Sequence, residues 1–208
     1  MVSGGATVPV AVLGPPGLLL TSLAAALRCE GHRVELLPGS AVPEDVRPGV
    51  LIVDVGPPRA VETIPCAVAA GWTVVAVGSR SCTDRAAAAV VAGAQAWAST
   101  DISFTELLRL VGAGPALEMS EAERRRWREV HERAEAERAG RVERLRRLSR
   151  REREVLRLLA EGRRAADIAD DLFVALATVR THIRSILVKL EVNAQEQAIA
   201  VYRDAGGH

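Results

Sequence analysis

The sequence is poor in cysteine, and this scarcity excludes two classes of protein. The three cysteines, Cys29, Cys66 and Cys82, are odd in number and far apart, form no CxxC motif and are accompanied by no histidine cluster. They therefore indicate neither a disulfide framework nor a zinc site. We expect buried thiols in a reducing cytoplasm.

Positive charge is missing from the beginning of the sequence, where the first charged residue is Arg28. A secretory signal needs a basic segment ahead of its apolar core, so no signal peptide is expected. A membrane helix in this stretch would have to accommodate Pro9, Pro15 and Pro16. We interpret the stretch as a strand, a turn and a buried helix, and we expect no membrane partner.

Net charge is also small, at +1, which taken alone argues against a nucleic-acid partner. The average hides an uneven distribution, because residues 1–117 hold 7 basic and 9 acidic residues whereas residues 118–208 hold 20 basic and 17 acidic residues.

The length of 208 residues suggests one large or two small domains. The hydrophobic fraction of 49% is enough to form a core, so wholesale disorder is excluded.

Residues 1–117 alternate apolar runs with helical patterns and predict an α/β domain. The apolar runs are 8–13, 33–37, 49–55, 73–77 and 94–98, and the helical patterns are 18–29, 61–70, 84–92 and 104–111. Strands that are buried on both faces appear as unbroken apolar runs. We therefore predict a five-stranded parallel sheet with helices on both faces.

Residues 118–147 contain 10 basic and 8 acidic residues and predict a charged linker helix. Their apolar residues are sparse, with a roughly helical spacing. Two interpretations remain open, a solvated spacer and a coiled coil that forms a dimer. A coiled coil needs sustained heptads, and both the missing heptads and Gly140 count against it.

Residues 148–208 predict a compact helical domain. Ser149 and Glu152 form a capping box at the start of its first helix, and Gly162 ends that helix. A second, short helix contains Ile168, Ala169 and Leu172, and Thr178 opens a third. A buried stripe on the third helix is formed by Val179, Ile183, Ile186, Leu187 and Leu190. We expect Asn193 to cap a fourth helix.

The remaining face of the third helix carries no acidic residue. It is formed by Thr178, Arg180, Thr181, His182, Arg184, Ser185 and Lys189. Arg180 and Arg184 lie one turn apart and project the same way, and guanidinium groups match guanine O6 and N7 in the major groove. A short helix, a tight turn and such a helix form a DNA-binding helix-turn-helix. A merely solvated basic face is disfavoured, because the cap, the turn and the buried stripe occur with it.

The segment LSRREREVLRLLAEG…DIADDLFVALATVRTHIRSILVKLEVNAQEQAIAV, residues 148–201, resembles the LuxR-type helix-turn-helix of NarL/FixJ-like bacterial transcription factors. The resemblance implies a four-helix domain that binds double-stranded DNA as a homodimer, with the last helix in the dimer contact. By position it implies base contacts for Arg180, Thr181 and Arg184, and backbone contacts for Thr178, His182, Lys189 and Arg164. The sequence departs from the family at Arg164 and Ala175, where hydroxyl side chains are usual. A lost cap costs roughly 0.5–2 kcal/mol.

Residues 1–117 resemble, more weakly, the flavodoxin-like receiver domain of response regulators. The resemblance rests on the predicted strand order, on LIVDV, and on AGAQAWAST followed by DISFTELLRLV. It places Asp54 where receivers are phosphorylated. Gly14-Pro15-Pro16 replaces the acidic pair that binds Mg²⁺, Gly78 replaces a hydroxyl and Thr100 replaces a lysine. We therefore expect Asp54 to be a vestigial phosphoacceptor, with no metal and no cofactor.

These observations predict a sequence-specific DNA-binding transcriptional regulator, an atypical response regulator that acts independently of aspartyl phosphorylation. One alternative is a phosphorylation-dependent two-component response regulator that uses Asp54. Others assign the first domain to sensing a small-molecule or protein effector, in a crevice lined by 14–17, 54–58 and 78–82, or to forming a dimer.

Two further classes are less favoured. An enzyme lacks support, because the four histidines, at 32, 131, 182 and 208, are scattered and pair with no nucleophile. An interaction adaptor that has lost DNA binding would be distinguished by its DNA affinity and the salt dependence of that affinity.

Overall fold

The computed structural model describes residues 9–15, 17–38, 48–57 and 59–205. The first part of the chain forms β1 (Val10–Gly14), α1 (Leu18–Cys29), β2 (Val34–Pro38), β3 (Val50–Asp54), α2 (Ile64–Ala69), β4 (Thr73–Gly78), α3 (Thr83–Val91), β5 (Ala96–Ser99) and α4 (Phe104–Ala113). It continues with α5 (Glu121–Arg146), α6 (Arg150–Ala160), α7 (Ala165–Asp171), α8 (Leu176–Leu190) and α9 (Gln195–Asp204). The chain divides into two compact units, residues 1–132 and 133–208, within α5. The boundaries at 117 and 147 stay predictions.

The five strands form one parallel sheet in the order β2-β1-β3-β4-β5. This confirms the predicted five-stranded parallel sheet, and the order is that of flavodoxin-like folds. Strands β2 and β3 lie on opposite sides of β1, so the strand order reverses between β1 and β3. Gly14 and Asp54, the last residues of these two strands, therefore lie at the crevice where such sheets bind ligands.

Two cores cover the two faces of the sheet, because successive side chains of a strand point to opposite sides. Leu51 and Val53 of β3 pack in the core that includes Ile64 of α2. Ile52 of β3 packs in the other core, which includes Leu27 of α1. The predicted placement of helices on both faces is confirmed.

Several predicted boundaries shift by a few residues. The helix expected over 61–70 begins as a 3₁₀ turn at Ala60–Thr63, and Pro65 lies in the first turn of α2. Helix α8 begins at Leu176 rather than at Thr178. The first residue of the strand expected over 8–13, together with Pro16, Pro58 and His208, lies outside the described residues.

The cap predicted for the fourth helix is wrong. The residue before α9 is Ala194, and no side chain caps it. Asn193 instead donates its backbone N–H to the Gln197 side-chain oxygen at 3.0 Å.

The prediction of buried cysteines is also wrong for two of the three residues. Cys29 and Cys66 are exposed, and Cys82 is partly buried. Cys29 follows the buried Leu27 by two residues. Two residues correspond to about 200° around a helix, so Cys29 lies on the outer side of α1.

Among the described helices, none is long and apolar enough to cross a membrane.

Helix α5 is continuous over 26 residues and passes Gly140 without a break. None of its residues is fully buried, but Trp127 packs against Trp97 of β5. The two ring centroids lie 5.5 Å apart, with the ring planes at 59°. Such tilted aromatic pairs contribute about 0.5–1.5 kcal/mol beyond the area they bury. The first turns of α5 therefore pack on the α/β unit.

We expect Trp127→Ala to lower the free energy of unfolding of the α/β unit by about 1–3 kcal/mol, because it uncovers Trp97 and removes a half-buried ring. Urea denaturation followed by tryptophan fluorescence measures this change. Trp127→Phe keeps an aromatic ring at the position and is expected to recover most of the loss. Equal stability of parent and Trp127→Ala would show that α5 does not support the sheet.

Candidate nucleic-acid interface

Helix α6 begins with the predicted capping box, which the structure confirms. The Ser149 Oγ accepts a hydrogen bond from the Glu152 backbone N–H at 3.2 Å. The Glu152 carboxylate accepts one from the Ser149 backbone N–H at 2.7 Å. The cap fixes the start of α6, whose Val155, Leu156 and Leu159 enter the core of the second unit.

Helix α8 uses the predicted stripe to reach the same core. Val179, Ile186 and Leu190 are fully buried, while Ile183 and Leu187 are partly buried against them. Burial of this side turns the opposite side of α8 toward solvent. Helix α7 ends shortly before α8, and the two helices with their turn form the helix-turn-helix.

Both helices of the helix-turn-helix begin without the usual hydroxyl cap, as predicted. Ala175 precedes α8 and provides no side-chain hydrogen bond. Arg164 precedes α7, and its guanidinium has no acceptor atom. One of the two hydrogen bonds of a capping box is nevertheless present at the start of α7. The Asp167 carboxylate accepts it from the Arg164 backbone N–H at 3.2 Å.

Arg151 of α6 gives the turn further support that the sequence did not reveal. Its guanidinium donates to the Leu172 carbonyl oxygen at 2.8 Å and pairs with Glu154 at 2.8 Å. The next residue, Phe173, has a φ of 52° and an exposed fraction of 95%. A left-handed conformation is unfavourable for a non-glycine residue, so the turn depends on contacts such as that of Arg151.

The solvent side of α8 holds Arg180 and Arg184, and both are exposed. Neither of them makes an ion pair with any residue that the structure describes. Several other arginine side chains of the same unit are paired with carboxylates, among them Arg151 with Glu154, Arg157 with Glu161 and Arg163 with Asp171. The two guanidinium groups on α8 thus remain available for an external anion or a base edge.

Threonine and histidine side chains accompany these arginines on α8. Thr178 and Thr181 are exposed, and His182 is partly exposed. The Thr181 hydroxyl donates to the Ala177 carbonyl oxygen at 3.0 Å, so its oxygen and its methyl group stay available to a partner. The contacts of these side chains with bases or phosphates stay predictions.

The structure counts against one predicted phosphate contact, that of Lys189. Its ammonium donates to both carboxylate oxygens of Glu152, at 2.7 Å and 2.9 Å. The Ser185 hydroxyl donates to the same carboxylate at 2.6 Å. Both residues therefore face α6. Glu152 lies 37 positions before Lys189, so the periodicity of α8 gives no sign of this pair.

Glu152 is a buried carboxylate whose side chain is 6% exposed. Burial alone would raise its pKa, but hydrogen bonds from Lys189, Ser185 and Ser149 outweigh the burial and lower the pKa to about 2, from an ordinary value of 4.5. A carboxyl whose pKa is lowered in the folded state stabilises the fold above its unfolded pKa. That stabilisation is lost as the pH falls from about 4.5 toward about 2.

Asp54 lies at the end of β3 and is partly buried. Its Oδ1 accepts a hydrogen bond from the Gly56 backbone N–H at 2.8 Å. Arg85 of α3 donates to the Gly56 carbonyl oxygen, which brings a cation close to the Asp54 turn. Local sequence patterns give no sign of this cation, because Arg85 lies 29 residues after Gly56 in the chain.

Apolar side chains fill the space around two positions that carry phosphorylation chemistry in receivers. A Cβ at Gly14 would lie 2.5 Å from Leu20 Cδ1 and 3.2 Å from Asp54 Cβ. A Cβ at Gly78 would lie 2.8 Å from Val55 Cγ2. Within the described ranges, no group of three histidine, cysteine or acidic residues is placed to hold a metal ion.

Comparison with known proteins identifies the second unit. Residues 146–202 match the family of bacterial regulatory proteins of the luxR type. Relatives from Bacillus subtilis (strain 168) include the transcriptional regulatory protein LiaR, 48% identical over 54 residues, and the spore germination protein GerE, 42% identical over 51 residues. These matches cover 26% and 24% of this chain, and 25% of LiaR and 69% of GerE. The chain belongs to the luxR family of bacterial regulatory proteins, which confirms the resemblance of residues 148–201.

The match spans only about a quarter of LiaR, and 28% of another relative, the transcriptional regulatory protein DesR. Solved structures similar to this chain include full-length FixJ from B. japonicum, with 18% identity and a TM-score of 0.45 over 96% of this chain and 97% of that one. A complex of RcsB with DNA is similar at 18% identity and a TM-score of 0.45, over 96% and 98% of the two chains. Similarities this distant say nothing about function.

We expect Lys189→Met to destabilise the second unit by about 3 kcal/mol at neutral pH, because it leaves the Glu152 carboxylate buried without its cation. Hydrogen-exchange mass spectrometry of peptides from α6 and α8 in the full chain measures the change separately from the α/β unit.

Lys189→Met combined with Glu152→Gln is the control, and it is expected to lose less stability than Lys189→Met alone, because no buried charge remains. The difference between parent and Lys189→Met should also shrink as the pH falls from about 4.5 toward about 2. A difference that is small at neutral pH, or that does not change with pH, would contradict a stabilising role for the pair.

Proposed function

We propose that this protein is a sequence-specific DNA-binding transcriptional regulator whose α/β domain acts without aspartyl phosphorylation. One observation carries the first part of the proposal. Arg180 and Arg184 are exposed on one side of α8, a helix without acidic residues, and neither has a carboxylate partner in the described structure. Arg151 and Arg157 of α6, by contrast, are paired with carboxylates.

The proposed mode of binding places α8 in the major groove. Arg180 and Arg184 donate to guanine O6 and N7, and Thr181 contacts a base through its oxygen or its methyl group. Thr178 and His182, together with Arg164 at the start of α7, donate to phosphates. Lys189 is assigned to holding α8 against Glu152 rather than to the DNA. Helix α8 has no acidic residue in its first turn, so nothing there repels the phosphates.

We further propose that the protein binds DNA as a homodimer in the bacterial cytoplasm. Helix-turn-helix dimers read two half-sites about one helical turn apart, so a single recognition helix of modest length reads enough bases for specificity. The relatives LiaR and DesR are transcriptional regulatory proteins, which agrees with the proposed role in transcription.

The second part of the proposal rests on the surroundings of Asp54. Mg²⁺ requires several oxygen ligands, and the place of the acidic pair is held by Gly14 and packed by Leu20. Val55 fills the space beside Gly78, where receivers carry a hydroxyl. Two residues favour the phosphorylation-dependent alternative, Asp54 itself and the cation of Arg85 close to it. The absence of a group of ligands for Mg²⁺ among the described residues opposes that alternative.

We expect Arg180→Ala and Arg184→Ala each to weaken binding to the preferred site by about 1–3 kcal/mol and to relax the choice of base at one position. The preferred site is obtained by selection from random duplexes with the full chain. Fluorescence anisotropy at several salt concentrations then measures each affinity.

Arg157→Ala is the matched control, because Arg157 is paired with Glu161 on α6, and it is expected to bind like the parent. If both α8 variants selected the same site with the parent's affinity, the assignment of α8 as the recognition helix would be wrong.

We expect acetyl phosphate with Mg²⁺ to leave no phosphoryl adduct on the full chain and to leave its DNA affinity unchanged, because Asp54 lacks partner ligands for the ion. Intact-mass spectrometry checks the first result and anisotropy the second. An adduct in the parent that disappears in Asp54→Asn would establish the phosphorylation-dependent alternative instead.

A further inference from the structure

The α/β unit contains a cavity of about 280 Å³ at the carboxyl ends of the central strands. Helix α1 forms one wall with Leu20 and Leu23, and the start of α4 forms the other with Leu107. Ile52 of β3 and Val77 of β4 form its floor. The cavity is thus lined mainly by apolar side chains, and it lies at the edge of the sheet where flavodoxin-like folds bind ligands.

One carboxylate interrupts these apolar walls. Asp54 is the ionisable residue among the lining side chains that the structure describes; Ser22, Ser99 and Thr100 are polar but uncharged. The Ser99 hydroxyl already donates to Asp101 at 3.1 Å. Asp54 uses Oδ1 to accept from Gly56, while its Oδ2 has no hydrogen bond or ion pair in the described structure. The cavity therefore offers one anionic acceptor beside an apolar space.

Leu20 links this cavity to the substitution at the end of β1. Its Cδ1 occupies the space that a side chain at Gly14 would need, and the same leucine forms part of the cavity wall. Where an acidic side chain would make the crevice polar, this chain has an apolar surface against Asp54. The crevice has thereby become suited to an apolar molecule rather than to a hydrated cation.

We propose that this cavity binds a small apolar molecule that carries a protonated amine, with the amine on Asp54 and the apolar body between α1 and α4. A cavity of about 150 Å³ is enough for one benzene molecule. The volume of about 280 Å³ therefore suits a body of the size of an indole ring with a short side chain. A charge-assisted hydrogen bond to a carboxylate against apolar walls is roughly twice as strong as a neutral one, so the amine decides the specificity.

Three probes with the same indole body but different head groups test this proposal: tryptamine, tryptophol and indole-3-acetate. Isothermal titration of the full chain is expected to show tryptamine binding at least about tenfold more tightly than tryptophol, a difference of about 1.4 kcal/mol. Indole-3-acetate is expected to bind least, because its carboxylate repels Asp54. Absence of saturable binding for all three probes would overturn the proposal.

Two variants of α1 locate the binding site. Ala26 lines the cavity, so Ala26→Leu fills part of it and is expected to weaken tryptamine binding at least about tenfold. Ala25→Leu adds the same atoms on the exposed side of α1 and is expected to leave the affinity unchanged. Equal affinities in the folded Ala26→Leu and Ala25→Leu variants would place binding elsewhere and overturn the proposal.

Asp54→Asn tests the role of the charge and also decides the matter if Ala26→Leu fails to fold. The amide keeps the shape of the side chain and its hydrogen bond from Gly56, so tryptophol should bind as in the parent, while the preference for tryptamine should disappear. A retained preference would overturn the proposal. Because the readout is ligand binding to the α/β unit, its failure leaves the proposed DNA binding by α8 to be judged separately.

Discussion

The second unit depends on one buried carboxylate, that of Glu152. It accepts hydrogen bonds from the Ser149 backbone at the start of α6, and from Ser185 and Lys189 on α8. A buried carboxylate is costly unless it is paired and hydrogen-bonded, and these donors meet that requirement. Since the donors come from both helices, the requirement fixes α8 relative to the beginning of α6. The direction in which Arg180 and Arg184 project follows from that arrangement.

The same contact shows that the basic residues of α8 face two different directions. Lys189 faces inward and neutralises the Glu152 carboxylate, whereas Arg180 and Arg184 face outward without carboxylate partners in the described structure. In the proposed mode of binding, the cations of α8 have two tasks, with Lys189 stabilising the unit and the two arginines contacting the DNA. Lysine supplies a compact charge for a confined partner, whereas the planar guanidinium suits bidentate contacts with bases.

Local patterns in the sequence predicted most of the fold. The unbroken apolar runs predicted the five strands, α1 was predicted with its observed bounds, and the Ser149–Glu152 capping box was read directly from its spacing. The errors concern contacts between residues that are distant in the chain. Lys189 meets Glu152, Arg85 meets Gly56 and Arg151 meets Leu172, and none of these pairs follows from helical or strand periodicity. The exposure of Cys29 depends on which face of α1 is covered. The Asn193 cap fails because α9 begins one residue later than such a cap requires.

The packing of Leu20 against Gly14 bears on how this domain can change over evolutionary time. An acidic residue introduced at position 14 would meet Leu20 before it met any ion, so that substitution alone brings a steric penalty and no compensating ligand. A shift of the Leu20 side chain or a smaller residue at position 20 would have to accompany it, and a smaller residue would enlarge the apolar cavity. A set of oxygen ligands for a metal ion at this edge of the sheet thus requires several coupled substitutions rather than one. Such coupling between neighbouring positions makes a single acidic substitution an unproductive step toward a metal site.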